Sequence, residues 1–266
     1  MFPASHIGEF TTSWYTLVAG FLNAIICTFY FIYLYRKKIG HTFPNPILYF
    51  VVSIITLIGF VGARILSVSE VFLISDHSHS FKDFMRLVLD NGGFSWYGGL
   101  LLILILIPIL MKFIPRVTLL TILDFSSLVC CVAYAIGRLG CFLSGDSCYG
   151  QWTTLPWGMY FPYGAAPNIL PVHPTPLYEI LLHLVLLLFL IRLEKNKHFL
   201  GQVFCAFLFF NSFFRFFIEF IRINEKVSLG LTVHQFISLG LIIVSGSMYY
   251  FLSHTKVITY NSKSFQ

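Results

Sequence analysis

Long apolar blocks separated by short polar breaks dominate the chain, and their lengths predict its elements. Seven blocks run from Trp14 to Tyr35, Pro46 to Val68, Phe94 to Met111, Val117 to Leu143, Pro174 to Leu193, Gly201 to Ile221 and Leu231 to Leu252. A bilayer core is crossed by about 20 helical residues. Backbone polar groups must be satisfied within the segment itself in lipid, so each block is expected to be a helix. No internal repeat or low-complexity tract divides the chain. The expectation is one all-α integral membrane domain over residues 1–266, with seven transmembrane helices.

Composition narrows this further. The chain is 57% hydrophobic and 11% charged, with a mean hydropathy of +0.81; soluble domains carry roughly 25% charged residues. The net charge of +6 does not point to nucleic acid, because Lys and Arg sit at block ends and form no basic stripe. They do predict orientation. One side holds ten: Arg36, Lys37, Lys38, Lys112, Arg116, Arg192, Lys195, Lys197, Lys256 and Lys263. The other holds four: Lys82, Arg86, Arg222 and Lys226. The richer side is expected to be cytoplasmic, placing the N-terminus outside and the C-terminus inside. The segments Ser69 to Gly92 and Ser144 to His173 then lie outside. The second is rich in Trp, Tyr, Pro and Gly, and reads either as a small extracytoplasmic head (144–173) or as an ordinary interfacial loop. The N-terminal MFPASHIGEFTTSWY lacks the basic start of a cleavable signal peptide.

Ionisable residues inside apolar blocks are functional candidates, because burying them in lipid is costly. In GQVFCAFLFFNSFFRFFIEFIR, Asn211, Arg215, Glu219 and Arg222 recur at steps of four, four and three, one stripe of a helix. Arg215 lies fourteen residues past Gly201, roughly 21 Å along the axis, towards the outer side. The plain alternative is that Arg215 and Glu219 only pair with each other. Arg138, Arg64 and Glu179 fall at similar depth in other blocks, and Gly92, Gly93, Gly98 and Gly99 bracket FSWY there. A cluster of guanidinium groups suits a phospholipid phosphate, which arginine binds through its planar fork. His173-Pro174 opens a helix, so His173 reads as a capping or interfacial residue or as a catalytic one. His77 and His79, beside Asp76, read as a solvated loop. The cysteines Cys27, Cys130, Cys131, Cys141, Cys148 and Cys205 show no metal-ligand spacing. Cys141 and Cys148 lie near one membrane face, close enough in sequence to pair.

The same residues carry a resemblance. GAR at Gly62 to Arg64, NGGFSWYGGL at Asn91 to Leu100, Asp124, GRLGCFLSGDSCYG at Gly137 to Gly150, HPTPLYE at His173 to Glu179 and RFFIEFIR at Arg215 to Arg222 follow one another as in the prolipoprotein diacylglyceryl transferases, which the chain resembles over most of its length. The most specific piece, Gly137 to Gly150, is similar to the family signature GRxGNFxNGE…G. The chain also departs from the pattern. Tyr97 stands where the family usually has His, Cys141 where it has Asn, Ser144-Gly145-Asp146 for Asn-Gly-Glu, Pro176 for Gln and Asn211 for Tyr.

The resemblance implies a bacterial inner-membrane enzyme with its site towards the outer leaflet. Its partners would be phosphatidylglycerol and the lipobox cysteine of a prolipoprotein signal peptide, with glycerol phosphate as the other product and no cofactor. Carried onto matching positions, Arg138 and Arg215 would stabilise the phosphate, Glu179 and Glu219 would orient the arginines or move a proton, and Tyr97 would occupy the base position. Arg64, Gly98, Gly99, Cys141, Asp146, His173, Tyr178, Asn211 and Arg222 would line the substrates. The altered proton-handling positions keep two alternatives open: a non-catalytic adaptor that binds phospholipid or signal peptide, or a related transferase with another acceptor.

Overall fold

The computed structural model describes residues 5–7, 10–12, 22, 25–34, 36, 58–59, 61–69, 97–102, 105–106 and 116–254. Much of the first three expected spans, nearly all of the Ser69 to Gly92 segment with His77 and His79, and Gly92 and Gly93 lie outside them. The described residues are mainly helical. Two compact units are present: residues Met1–Lys38 with Leu120–Gln266, and Ile39–Leu119.

Four long helices carry the described part of the first unit: α1 (Arg116–Ser144), α2 (Thr175–Lys195), α3 (Gln202–Ile218) and α4 (Val233–His254). Helix α1 begins before the first unit's boundary and runs on through it. Leu119–Ser144, Thr175–Lys195 and Val233–His254 are long and apolar enough to cross a membrane. Their ends follow local chemistry. Helix α1 stops at Gly145, whose φ of +60° lets its amide bond back to Cys141 O at 3.0 Å, a left-handed cap that glycine adopts freely. Pro176 sits in the first turn of α2, where a missing amide hydrogen costs little. Helix α4 opens with a reciprocal cap: Gln235 N donates to Thr232 Oγ1 (3.3 Å) and Thr232 N to Gln235 Oε1 (2.9 Å), the capping-box arrangement.

Helix α3 is capped from a distance. Asp124 of α1 accepts Gly201 N and Phe204 N, each at 3.0 Å, and Lys197 Nζ at 2.8 Å. It thereby takes up amide donors that a helix start leaves open. Lys197 also pairs with Glu194 at 2.9 Å. The chain expected to continue as helix to Ile221 leaves it at Ile218, with Glu219 as the C-cap. The reason is non-local: Gln151 N bonds to Ile221 O at 2.7 Å, and Gly150 bridges Arg222 in antiparallel fashion.

That bridge ties the chain after α3 to a small two-stranded sheet between α1 and α2. Strands β3 (Met159–Phe161) and β4 (Asn168–Val172) pair antiparallel, Met159 opposite Val172 and Phe161 opposite Asn168. Tyr149, Phe161 and Val172 form its buried core, with Phe142 of α1 and Met159 packed against it. A second pair, β1 (Ser5–Ile7) with β2 (Phe10–Thr12), was not foreseen from the hydropathy pattern. In the second unit, glycines hold helical stretches close: a Cβ on Gly62 would stand 2.7 Å from Gly98 O, and one on Gly99 2.7 Å from Gly59 O. Small residues permit such helix contacts.

Candidate active site

Helices α1, α2 and α3 bring their ionisable residues together at Glu179. This carboxylate lies one turn into α2 and is almost fully buried. Its Oε1 accepts Tyr134 Oη at 2.7 Å and Arg215 Nη1 at 3.2 Å. Its Oε2 meets Arg138 Nε at 2.9 Å. Arg138 Nη2 in turn donates to Tyr134 Oη at 2.9 Å. Tyr134 and Arg138 are four apart on α1 and so share a face.

Arg215 bridges two carboxylates, its Nη2 standing 3.1 Å from Glu219 Oε2. The exclusive Arg215–Glu219 pair held open from the sequence is therefore not what forms. Glu219 Oε1 accepts Asn224 Nδ2 at 2.5 Å and Thr232 Oγ1 at 3.1 Å, and His234 Nδ1 lies 3.6 Å away. Arg222, past the end of α3, is also buried. Its Nη1 and Nε stand 3.8 Å from Glu179 Oε2 and 3.9 Å from Glu219 Oε2. These distances are too long for hydrogen bonds, and both nitrogens are without a hydrogen-bond partner. Three guanidinium groups against two carboxylates leave the cluster one net positive charge.

Around this centre lies a second set of contacts. His183 stacks on Tyr134 with ring centroids 3.9 Å apart and planes at 12°. Its Nδ1 contacts Glu179 O at 2.8 Å and its Nε2 contacts Asn211 Oδ1 at 3.0 Å. His173 Nδ1 lies 3.3 Å from Tyr178 Oη, which accepts Trp157 Nε1 of the α1–α2 segment at 2.8 Å. On the other side, Arg138 Nη1 donates to Cys148 Sγ at 3.5 Å. The thiols of Cys141 and Cys148 and a carboxylate oxygen of Asp146 lie within 4.8 Å of one another, and the six described cysteines are all free thiols. Burial pushes the Asp146 carboxyl up to about 7. The Cys148 thiol is held well below its ordinary value, first by its hydrogen bond with Cys141 and, against burial, by the Arg138 charge.

Of the residues singled out from sequence, Arg138, Glu179, Arg215, Glu219 and Arg222 meet in one cluster. Asn211 joins it through His183, and Cys141 and Asp146 join through Cys148. His173 and Tyr178 contact each other. Arg64, Tyr97, Gly98 and Gly99 belong to the other unit, where Arg64 and Tyr97 are buried. Tyr134, His183, Asn224, Thr232, His234 and Cys148 were missed as site residues. Two signals were available: His183 is an ionisable residue inside an apolar block one turn past Glu179, and Tyr134 lies one turn before Arg138.

Membrane-length apolar helices around a buried cluster of arginines and glutamates suit a membrane-embedded protein that handles phosphate-bearing lipid. Comparison with known proteins gives the family. Residues 3–251 match the family described as prolipoprotein diacylglyceryl transferase, and the chain belongs to it. It is similar to the phosphatidylglycerol–prolipoprotein diacylglyceryl transferase of Methylobacillus flagellatus, at 30% identity over 259 residues, covering 90% of this chain and 92% of that protein. The enzyme of the same name from Geobacter sulfurreducens is 33% identical over 186 residues, 68% of each chain. That from Bordetella parapertussis is 32% identical over 166 residues, 60% of this chain and 62% of its own.

Proposed function

We propose that this protein transfers the diacylglyceryl group of phosphatidylglycerol to the lipobox cysteine thiol of prolipoproteins. The thiolate attacks the glyceryl carbon bonded to the phosphate. A C–S bond forms, the C–O bond to phosphorus breaks, and glycerol phosphate departs with the electron pair. The thiol proton passes to solvent as the thiolate forms.

The observation that carries this reading is the single excess positive charge of a buried arginine cluster. A phosphodiester has one negative charge, and breaking its C–O bond adds a second on the leaving group. Fixed guanidinium donors in a low-dielectric site stabilise that developing charge. Glu179 holds Arg138 and Arg215 in place before lipid arrives, so little reorganisation is needed. Arg222, with two buried nitrogens making no hydrogen bond, has donors to spare for phosphate oxygens. Arg138, Arg215 and Arg222 are thus assigned to the phosphate, and Glu179 and Glu219 to orienting them. Asn211, through His183, supports Glu179. Cys141, Asp146, His173 and Tyr178 are assigned to lining the substrates. Arg64, Tyr97, Gly98 and Gly99 are assigned to substrate by the family pattern alone. The proposed setting is a seven-span protein of the bacterial inner membrane, N-terminus out and C-terminus in, with the cluster towards the outer leaflet.

The test is transfer by the purified chain in phosphatidylglycerol vesicles with a lipobox peptide. A mass gain of one diacylglyceryl group on the peptide cysteine, absent when cysteine is replaced by serine, is expected. Phosphatidylglycerol binding without any transfer would overturn the reading.

A further inference from the structure

We propose that Cys141, Asp146 and Cys148 form a binding site for a thiophilic divalent cation of the zinc class, with one coordination position left for an incoming thiol. The three side chains come from the last turn of α1 and the loop after it, and their ligand atoms lie within 4.8 Å of one another. Zinc takes thiolate sulfur at about 2.3 Å and carboxylate oxygen at about 2.0–2.2 Å, so two of its tetrahedral ligands stand about 3.8 Å apart or less. Small side-chain rotations close the remaining gap. Asp146 Oδ1 is buried and has no hydrogen-bond partner, which a cation would supply.

The charge around the site favours occupancy. Two thiolates and a carboxylate bring three negative charges, and a divalent ion offsets two of them, while Arg138 stays paired with Glu179. Arg138 Nη1 already donates to Cys148 Sγ at 3.5 Å, the kind of outer hydrogen bond that orients a metal-bound ligand. Three protein ligands leave a tetrahedral ion one open position. A thiol coordinated there is deprotonated outright, its proton passing to solvent. This role rests on the proposed transferase activity. It would prepare the acceptor thiolate beside Arg138, in a chain where Tyr97 replaces the His of the family pattern.

The experiment uses the full-length chain, purified under reductant and stripped of metal, then titrated with Co2+. Stoichiometric uptake with a thiolate-to-cobalt charge-transfer band, displaced by Zn2+, is expected. Cys141→Ser and Cys148→Ser should each diminish the band, and together abolish it. Asp146→Asn should keep thiolate absorption but weaken binding by more than the roughly 10–100-fold that losing an outer partner costs. Adding the lipobox peptide to the Co2+ form should strengthen the band; an unchanged spectrum would overturn the role of the open position. No band in the wild type, a band surviving the double serine change, or recovery of a Cys141–Cys148 disulfide from the isolated protein would overturn the site itself. The readout needs no lipid. A silent titration with active transfer removes the metal and keeps the transferase, whereas a thiolate-bound Co2+ in a chain that transfers nothing keeps the site and removes the transferase.

Discussion

At Glu179 a single carboxylate meets Tyr134, Arg138 and Arg215, so changing it acts on all three partners. Glu179→Gln keeps the shape but removes the charge. Removing one partner of a buried ion pair costs about 3–5 kcal/mol, and a lowered unfolding temperature in detergent is the expected sign. Transfer should fall as well, because both arginines held by Glu179 lose their orientation. Arg215→Ala should reduce transfer by at least the roughly 10²–10³-fold that follows loss of one preorganised donor. The check is the rate at saturating phosphatidylglycerol: a loss only in apparent affinity would mean that Arg215 binds lipid without stabilising its departure. These arginines and glutamates were legible in the sequence because charge is rare in apolar blocks. Cys148 was legible only as a pairing partner for Cys141; folding sets it beside Asp146 and Arg138 as well. Arg222 was legible as a stripe residue, but its position beyond the helix end was not.

Helices report themselves through length and composition, and the four long ones begin and end within a few residues of their sequence-based limits. What periodicity does not encode is who caps whom. Asp124 was noticed only as part of the resemblance, and Lys197 only as one cation in the charge count. Folding joins them across 73 residues and ties α1 to the start of α3. Asp124→Asn should therefore destabilise strongly without disturbing the arginine cluster. Asn still offers an acceptor to the α3 amides, and Glu194 still faces Lys197, so the loss is expected towards the lower end of about 3–5 kcal/mol. Thermal unfolding should shift while the transfer rate below the transition stays near wild type. A selective loss of rate with unchanged unfolding would contradict this assignment. The early end of α3 is likewise a tertiary effect, since nothing local in FIEFIR announces that Gly150 and Gln151 will occupy the backbone of Ile221 and Arg222.

Over the whole molecule, the proposed topology makes a direct demand on reporter fusions. A reporter active only in the cytoplasm should work at the C-terminus, and one active only outside it should work in the loop after α1. The reverse pattern would place the cluster at the wrong face for a secreted acceptor. The strand bridge between the α1–α2 segment and the chain after α3 has one more consequence. Gln151 N bonds to Ile221 O at 2.7 Å, next to Arg222, so this amide can exchange its hydrogen with solvent only when the two segments part. Deuterium uptake there becomes an intrinsic clock for opening beside Arg222. If lipid draws Arg222 onto its phosphate and steadies the bridge, phosphatidylglycerol will slow that clock while a neutral lipid leaves it running, and binding can be timed on unlabelled protein.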